Sequence, residues 1–280
     1  MIFDSAGNLY GVTSQGGANQ YGTIFELKPQ QGGGWKESTL YNFTSNDGSP
    51  LYGLTIDKAG NLYGATDYTN SLPSPPIPFF GVVFKLSPGS DGTWSYTVLH
   101  AFPQKISIYE KTPDGDGAYP FSGLTLDADG NIYGTTTEGG AYGGGTVFEI
   151  PAGQGPNGPD KIIYSFAVDR GVYHPGYKPM GGLVFDSVGN LYGTTHEGGA
   201  YGDGKIFELL PNGDGSWTAK NLHDFGGQSY NRFTAIDGND PQASMVFGPD
   251  GNLYGTTNNG GYHPKDPSSY GGVVFELKLH

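Results

Sequence analysis

One eight-residue phrase, Asp-x-x-Gly-Asn-Leu-Tyr-Gly, returns along this chain and limits its possible folds more than any other feature. It stands at Asp4–Gly11, Asp57–Gly64 and Asp186–Gly193, with Ile for Leu at Asp127–Gly134, and as Pro249-Asp-Gly-Asn-Leu-Tyr-Gly255. The shared asparagines, Asn8, Asn61, Asn131, Asn190 and Asn252, fall 53 to 70 residues apart. A recurrence on this scale marks a repeat architecture, in which each unit hides its apolar surface against a neighbour.

Each unit carries strand signals of four kinds. A run such as Gly182-Leu-Val-Phe-Asp186 precedes the phrase, and Asn-Leu-Tyr-Gly-Thr-Thr follows its turn. The third is Gly-x-Val-Phe-Glu-Leu, at Thr23–Leu27, Val82–Leu86, Thr146–Ile150, Lys205–Leu209 and Val273–Leu277. The fourth ends in Phe, at Leu40–Phe43, Leu99–Phe102, Ile163–Phe166 and Leu222–Phe225. These runs of four to seven residues are β-branched or aromatic and bounded by Gly, Pro, Asp or Asn. Asp-x-x-Gly-Asn supplies an Asx-type turn and a Gly able to take positive φ, so the first two strands form a hairpin.

Four-stranded units in series predict an all-β chain, a five-bladed β-propeller built from five repeats of about four antiparallel strands. The expected organisation is one domain over 1–280, with repeats near 1–49, 50–119, 120–178, 179–240 and 241–280. The fourth strand signal occurs four times and the third five times, so the fifth unit reads as three strands or as part of a longer array. No apolar 3.6-residue period persists for more than a few residues, which argues against long helices.

Composition narrows the partners. The net charge is −13, and the 14 Lys and Arg residues are scattered singly. Release of counterions from phosphates needs clustered basic residues, so nucleic acid and anionic membranes are not expected partners. There is no cysteine, hence no disulfide, thiolate metal site or Cys nucleophile. No span-length apolar stretch and no signal peptide are read, and membrane insertion is not expected.

The unit Gly-Leu-x-x-Asp-x-x-Gly-Asn-Leu-Tyr-Gly-Thr-Thr-x-x-Gly-Gly-x-x-x-Gly-x-Val-Phe-Glu-Leu, nearly complete in Gly182–Leu209, resembles the Gloeo/Verruco tandem repeat of bacterial secreted and surface proteins. Its first hairpin also resembles that of NHL-type propellers. The resemblance implies an extracellular or cell-surface location and no particular activity, because fold alone does not give function.

Positions common to all repeats most simply serve the fold. The turn aspartates read as turn closers, the Phe-Glu-Leu glutamates as strand-surface residues, and the phrase tyrosines as packing between blades. Positions that vary are free to carry a site. The loops between second and third strands supply Asp67 and Tyr68, Glu138, His196 and Glu197, and Asn258 and Asn259, with Tyr142 and Tyr201 farther along. The loops leaving the fourth strands supply Tyr109 and Tyr119, Tyr173, His174 and Tyr177, and Tyr230; an insertion adds Tyr262 and His263. In a propeller these two kinds of loop share one face. Tyrosine rings with carboxylates and amides suit sugars, whose C–H faces stack while hydroxyls hydrogen-bond.

The expected function is therefore glycan binding on the loop face, the partner a polysaccharide or cell-surface glycan and the chain a monomer. An alternative is a polysaccharide-cleaving enzyme. A glycoside hydrolase would use Glu138 with Glu197, or Asp67 in substitution, as the carboxyl pair. A lyase would use His196 or His174 with a Tyr. A second alternative is a structural cell-surface array. No cofactor is expected: Asp114-Gly-Asp-Gly117 lacks the further ligands of a calcium loop, and loop histidines from separate repeats read as solvated groups before they read as zinc ligands.

Overall fold

A computed structural model describes residues 1–50, 52–66, 80–102, 115–155, 158–168, 176–227, 236–261 and 271–279. These residues are all-β, with no helix, and form five antiparallel sheets, one per repeat, the blades of a five-bladed β-propeller. Sheet 1 comprises Ile2–Phe3, Leu9–Thr13, Thr23–Pro29 and Trp35–Asn42 in that order. Sheet 2 comprises Thr55–Ile56, Leu62–Thr66, Val82–Pro88 and Trp94–Ala101. Sheet 3 has Thr125–Leu126, Ile132–Thr136, Gly143–Ile150 and Lys161–Ala167, extended by the short strand Glu138–Gly139, which runs parallel to the third, and by Gly117–Ala118 beyond it. Sheet 4 has Val184–Phe185, Leu191–Glu197, Lys205–Pro211 and Trp217–Asp224, with Tyr177–Pro179 added to its second strand. Sheet 5 has three strands, Val246–Phe247, Leu253–Thr256 and Val274–Leu277.

The backbone gathers into two compact units. One holds Met1–Ile106, Ala118–Gly134 and Glu149–Lys161; the other holds Ser107–Gly117, Thr135–Phe148 and Ile162–His280. The core of the first includes Tyr10, Ile24, Phe43, Leu54, Leu62, Phe84 and Leu86. That of the second includes Tyr192, Ile206, Phe225, Met245 and Leu253. The fourth strands close on a buried Phe, and three of these rings meet the third-strand Phe of the next sheet. The ring centroids are 5.5 Å apart for Phe43–Phe84, 5.2 Å for Phe166–Phe207 and 5.2 Å for Phe225–Phe275. The first two pairs are edge-on and the third is tilted, and edge-on pairs at this distance add attraction beyond the burial of their area.

The hairpin turn forms as its sequence predicts. In Asp57, Oδ1 accepts from the Ala59 and Asn61 amides at 2.9 Å each, and Oδ2 accepts from Asn61 Nδ2 at 2.7 Å. Asp4, Asp127 and Asp186 repeat this pattern. The turn glycines, from Gly7 at φ 84° to Gly251 at φ 79°, occupy the left-handed region that a Cβ disfavours. In the fifth copy Gly248 stands where the others have Asp. There Asp250, two residues on, binds Asn252 Nδ2 at 2.9 Å and the Tyr254 hydroxyl at 2.7 Å.

Three readings of the sequence need correction. The first strands are two-residue ladders rather than runs of four or more. The leucines before them, Leu54, Leu124 and Leu183, are buried instead as core side chains. The Phe-Glu-Leu glutamates are not uniformly strand-surface residues: Glu26 and Glu208 are 5% and 8% exposed. They sit directly across the ladder from the phrase tyrosines, Tyr10↔Glu26 and Tyr192↔Glu208. Those tyrosines do more than pack. The Tyr10 hydroxyl lies 3.1 Å from Asp4 Oδ2 and 3.0 Å from Glu26 Oε1, and Tyr192 bridges Asp186 and Glu208 at 3.1 and 2.8 Å. In sheet 2, where Lys85 replaces the Glu, its ammonium lies 5.8 Å from the Tyr63 ring centroid, a cation–π contact.

Candidate functional site

In the second unit the loops between second and third strands meet the loops that lead into the first strands. Tyr177–Pro179 pairs with the end of the second strand of sheet 4, Tyr177 opposite Glu197 and Pro179 opposite Thr195. Around sheet 5, the Asn239 amide donates to the Asn259 carbonyl at 3.0 Å, and Asn258 N donates to the Asp240 carbonyl at 3.1 Å. At sheet 3, Gly140 N donates to the Asp116 carbonyl at 2.7 Å. Within this unit the two kinds of loop are thus joined in pairs through their backbones.

The pre-proline residue of this crossing is strained in three repeats. Tyr119, Lys178 and Asp240 have φ of 59°, 55° and 54°. Positive φ is uncommon outside glycine, and the prolines at 120, 179 and 241 narrow the choice further. Such conformations persist only where surrounding contacts over-determine them. Tyr119 N donates to the Phe80 carbonyl at 2.8 Å in the first unit, and Asp240 N donates to the Asp203 carbonyl at 3.1 Å in the second.

This backbone directs the side chains. Lys178 Nζ donates to Glu197 Oε1 at 2.6 Å and lies 5.9 Å from the Tyr177 ring centroid. Burial alone would raise the Glu197 carboxyl, but hydrogen bonds from Lys178 and Tyr177, with the charges of Lys178 and His196, outweigh it and hold the group below the usual carboxylate range. Glu197 is thus a carboxylate that accepts hydrogen bonds. One step around the repeat, Asn259 Nδ2 donates to Asp240 Oδ2 at 2.8 Å, and His196 Nδ1 lies 3.8 Å from Asp240 Oδ1. Asn239 is 1% exposed, and its Oδ1 meets no donor among the described residues. Lys205 is desolvated, which lowers its ammonium below the ordinary lysine value against the opposing charge of Asp224.

The loop tips are held from beneath. In sheets 1, 3 and 4 the amides of Ala18, Ala141 and Ala200 donate to Asn42 Oδ1, Ser165 Oγ and Asp224 Oδ1 at 2.8, 3.3 and 3.0 Å. The acceptor in each case is the residue before the buried fourth-strand Phe. The residue after each alanine is Asn19, Tyr142 or Tyr201. Tyr142 and Tyr201 are 57% and 58% exposed, large aromatic surfaces turned to water at equivalent positions.

Of the candidate site residues, the second unit brings together His196, Glu197, Tyr177 and Asn259, with Asn258 joined through its backbone. Glu138 is half-buried in the short strand Glu138–Gly139 of sheet 3, its carbonyl accepting from Thr136 Oγ1 at 2.9 Å. Tyr119 instead packs on Phe80 in the first unit, ring centroids 4.6 Å apart. Asp67, Tyr68, Tyr109, Tyr173, His174, Tyr230, Tyr262 and His263 lie outside the described residues, as does Asp114. Asp116 is buried, and its Oδ1 accepts from Gly117 N at 2.6 Å. Two residues of the site, Lys178 and Asn239, were not expected from the sequence. One local signal marks the first: a proline follows Lys178, as Pro120 follows Tyr119 and Pro241 follows Asp240 at the same place in their repeats.

A second set of concavities lies at the hairpin ends of the strands. In the first unit a cleft of about 560 Å³ is lined by Asn8, Tyr10, Glu26 and Trp94 among others. In the second unit one of about 600 Å³ is lined by Asp186, Asn190, Tyr192, Glu208 and Phe247 among others. Both are walled by residues of the hydrogen-bonded turns, with the Tyr10 and Tyr192 hydroxyls held by their carboxylate partners.

The chain belongs to the Gloeobacter/Verrucomicrobia repeat family, whose model matches residues 1–175 and 81–280. Comparison with curated protein sequences gives no match. Among solved structures, a 6-phosphogluconolactonase candidate from Bacteroides uniformis is similar at a TM-score of 0.52 and 15% identity, over 98% of this chain and 68% of that one. A Dyadobacter fermentans protein of unknown function aligns at 0.44 and 14%, over 84% of this chain, which spans 64% of its length. The periplasmic gluconolactonase of Pseudomonas aeruginosa aligns at 0.44 and 12%, over 99% of this chain and 87% of that one. At these identities the likeness is one of fold. No helix among the described residues is long and apolar enough to cross a membrane.

Proposed function

We propose that this chain is a secreted or cell-surface glycan-binding propeller that holds a polysaccharide on its loop face. The observation that carries the reading is the pair Tyr142 and Tyr201, exposed at the same loop position in consecutive repeats. Exposed aromatic rings on loops fixed from below are stacking platforms for pyranose faces. In the same unit as Tyr201, Glu197, Asp240 and Asn259 offer carboxylate and amide groups for sugar hydroxyls. The binding reading asks of Glu197 only that it accept hydrogen bonds, which suits its ionised state.

The test is a panel of insoluble polysaccharides scored for both retention and release of reducing ends. Retention without release, weakened at least tenfold in the double variant Tyr142→Ala, Tyr201→Ala, is the expected result. Release that disappears in Glu138→Gln or Glu197→Gln would replace the binding reading with a hydrolytic one. Neither signal on any polymer would overturn both.

A further inference from the structure

The cleft between sheets 1 and 2 is wider than its neighbour, and the difference traces to the repeats that wall it. It encloses about 560 Å³, against about 150 Å³ for the matching space between sheets 2 and 3. The smaller space is lined by residues 151–154, which follow the third strand of sheet 3, and beyond them Gly158 N donates to the Leu99 carbonyl of sheet 2 at 3.1 Å. At the wider cleft the corresponding segment of sheet 2 is a tight turn over residues 89–93, closed by Gly89 N donating to the Thr93 carbonyl at 2.7 Å. The volume left open is that of a small-molecule site.

The two walls differ in chemistry. On sheet 1, Tyr10, Glu26 and Ser38 stand in one row across the ladder, Tyr10 opposite Glu26 and Glu26 opposite Ser38. Glu26 is buried, its Oε1 accepting from the Tyr10 hydroxyl at 3.0 Å and its Oε2 lying 3.1 Å from Lys28 Nζ. Glu26 and Lys28 are the charged residues of the lining, and their charges balance. The Lys28 ammonium keeps further donors for a ligand. Ser38 Oγ and Asn8 Oδ1 take no hydrogen bond among the described residues. In sheet 4 the place of Ser38 is held by Lys220, opposite Glu208 and 3.3 Å from its Oε2, so a serine there leaves space that a lysine fills. The other wall is Trp94 of sheet 2, half-buried and set edge-on to Tyr10 with ring centroids 6.3 Å apart.

We propose that this cleft is a carbohydrate site separate from the loop tyrosines, one that takes a neutral pyranose. The apolar face of the sugar stacks on Trp94, and the hydroxyls along its edge meet Lys28 Nζ, Ser38 Oγ and Asn8 Oδ1. A lining whose charges already balance disfavours a charged sugar, which would bring an unpaired charge out of water. The cleft lies in the first unit, whereas Tyr142 and Tyr201 belong to the second, so the site stands whether or not the loop face holds polysaccharide.

The test is isothermal titration calorimetry of the full chain with glucose, galactose, mannose and cellobiose, and with glucuronate as the charged control. Saturable binding of at least one neutral sugar is expected, with glucuronate at least tenfold weaker. The variant Ser38→Lys installs the pairing that sheet 4 already carries, so it keeps the fold while filling the cleft, and it weakens binding at least tenfold. With Trp35→Phe and Trp217→Phe, Trp94 is the sole tryptophan, and its emission changes saturably with the same affinity. Binding of no neutral sugar, equal binding of glucuronate, unchanged affinity in Ser38→Lys or unaltered Trp94 emission at saturation overturns the proposal. Loss of binding in the Tyr142→Ala, Tyr201→Ala double variant also overturns it, because the sugar then sits on the loop tyrosines. Absence of polysaccharide retention by the unaltered chain, with sugar binding in the cleft intact, overturns the loop-face reading alone.

Discussion

Gly193 shows how tightly single residues are specified. A Cβ built there would lie 2.4 Å from Phe207 Cζ, and Gly11, Gly64 and Gly255 face their own third-strand phenylalanines at 2.5, 2.6 and 2.4 Å. The glycine of the repeated phrase is thus the partner of the Phe in Gly-x-Val-Phe-Glu-Leu. Gly193→Ala is expected to destabilise the chain by roughly 1–3 kcal/mol through overpacking, read as a lowered denaturant midpoint with an unchanged slope. The turn aspartates were legible from the sequence because all their partners in the turn lie within six residues. The Tyr10–Glu26 and Tyr192–Glu208 bonds were not, because they span 16 residues and depend on strand register. A clue was available in sheet 2, where the one Lys at the glutamate position meets Tyr63 by its ring instead.

At the scale of elements, the four strand types and the hairpin could be read from local pattern, whereas the joining of loop to loop could not. The fourth strand reaches beneath the loop tip through Asn42, Ser165 or Asp224, a contact across 24 residues that no short motif encodes. Removing one such support separates positioning from folding. Asp224→Ala is expected to speed hydrogen exchange at the Ala200 amide and weaken retention on polysaccharide, while the far-ultraviolet circular dichroism of the sheets stays unchanged. Unaltered exchange at Ala200 would show that the loop holds its shape without that bond.

For the molecule as a whole, the repeated turn makes stability depend on acid. Burial opposes ionisation of Asp4, Asp57 and Asp186, but their hydrogen bonds outweigh it and place these carboxyls below the ordinary aspartate value. A carboxyl whose folded value is depressed adds stability above its unfolded pKa, near 3.9, and loses it as pH falls through the folded value. The chain is therefore expected to hold its melting temperature from neutral pH to about 5 and to lose it progressively below about 4, as scanning calorimetry across that range would register. A melting temperature unchanged down to pH 2 would remove the turns from this role. The family and fold were legible at this scale because the phrase recurs five times. The candidate site was legible only in part, since repetition reveals what the copies share and says little about what their differences face.

The loop tip above Ala18, Ala141 and Ala200 has a consequence for descent. Its backbone is secured by groups that lie outside the tip, so the side chain displayed there can change without disturbing the support. Duplicating a repeat copies a finished mount together with one unassigned letter, and a new surface chemistry then needs a single codon change, as the passage between Asn19 and Tyr142 or Tyr201 illustrates.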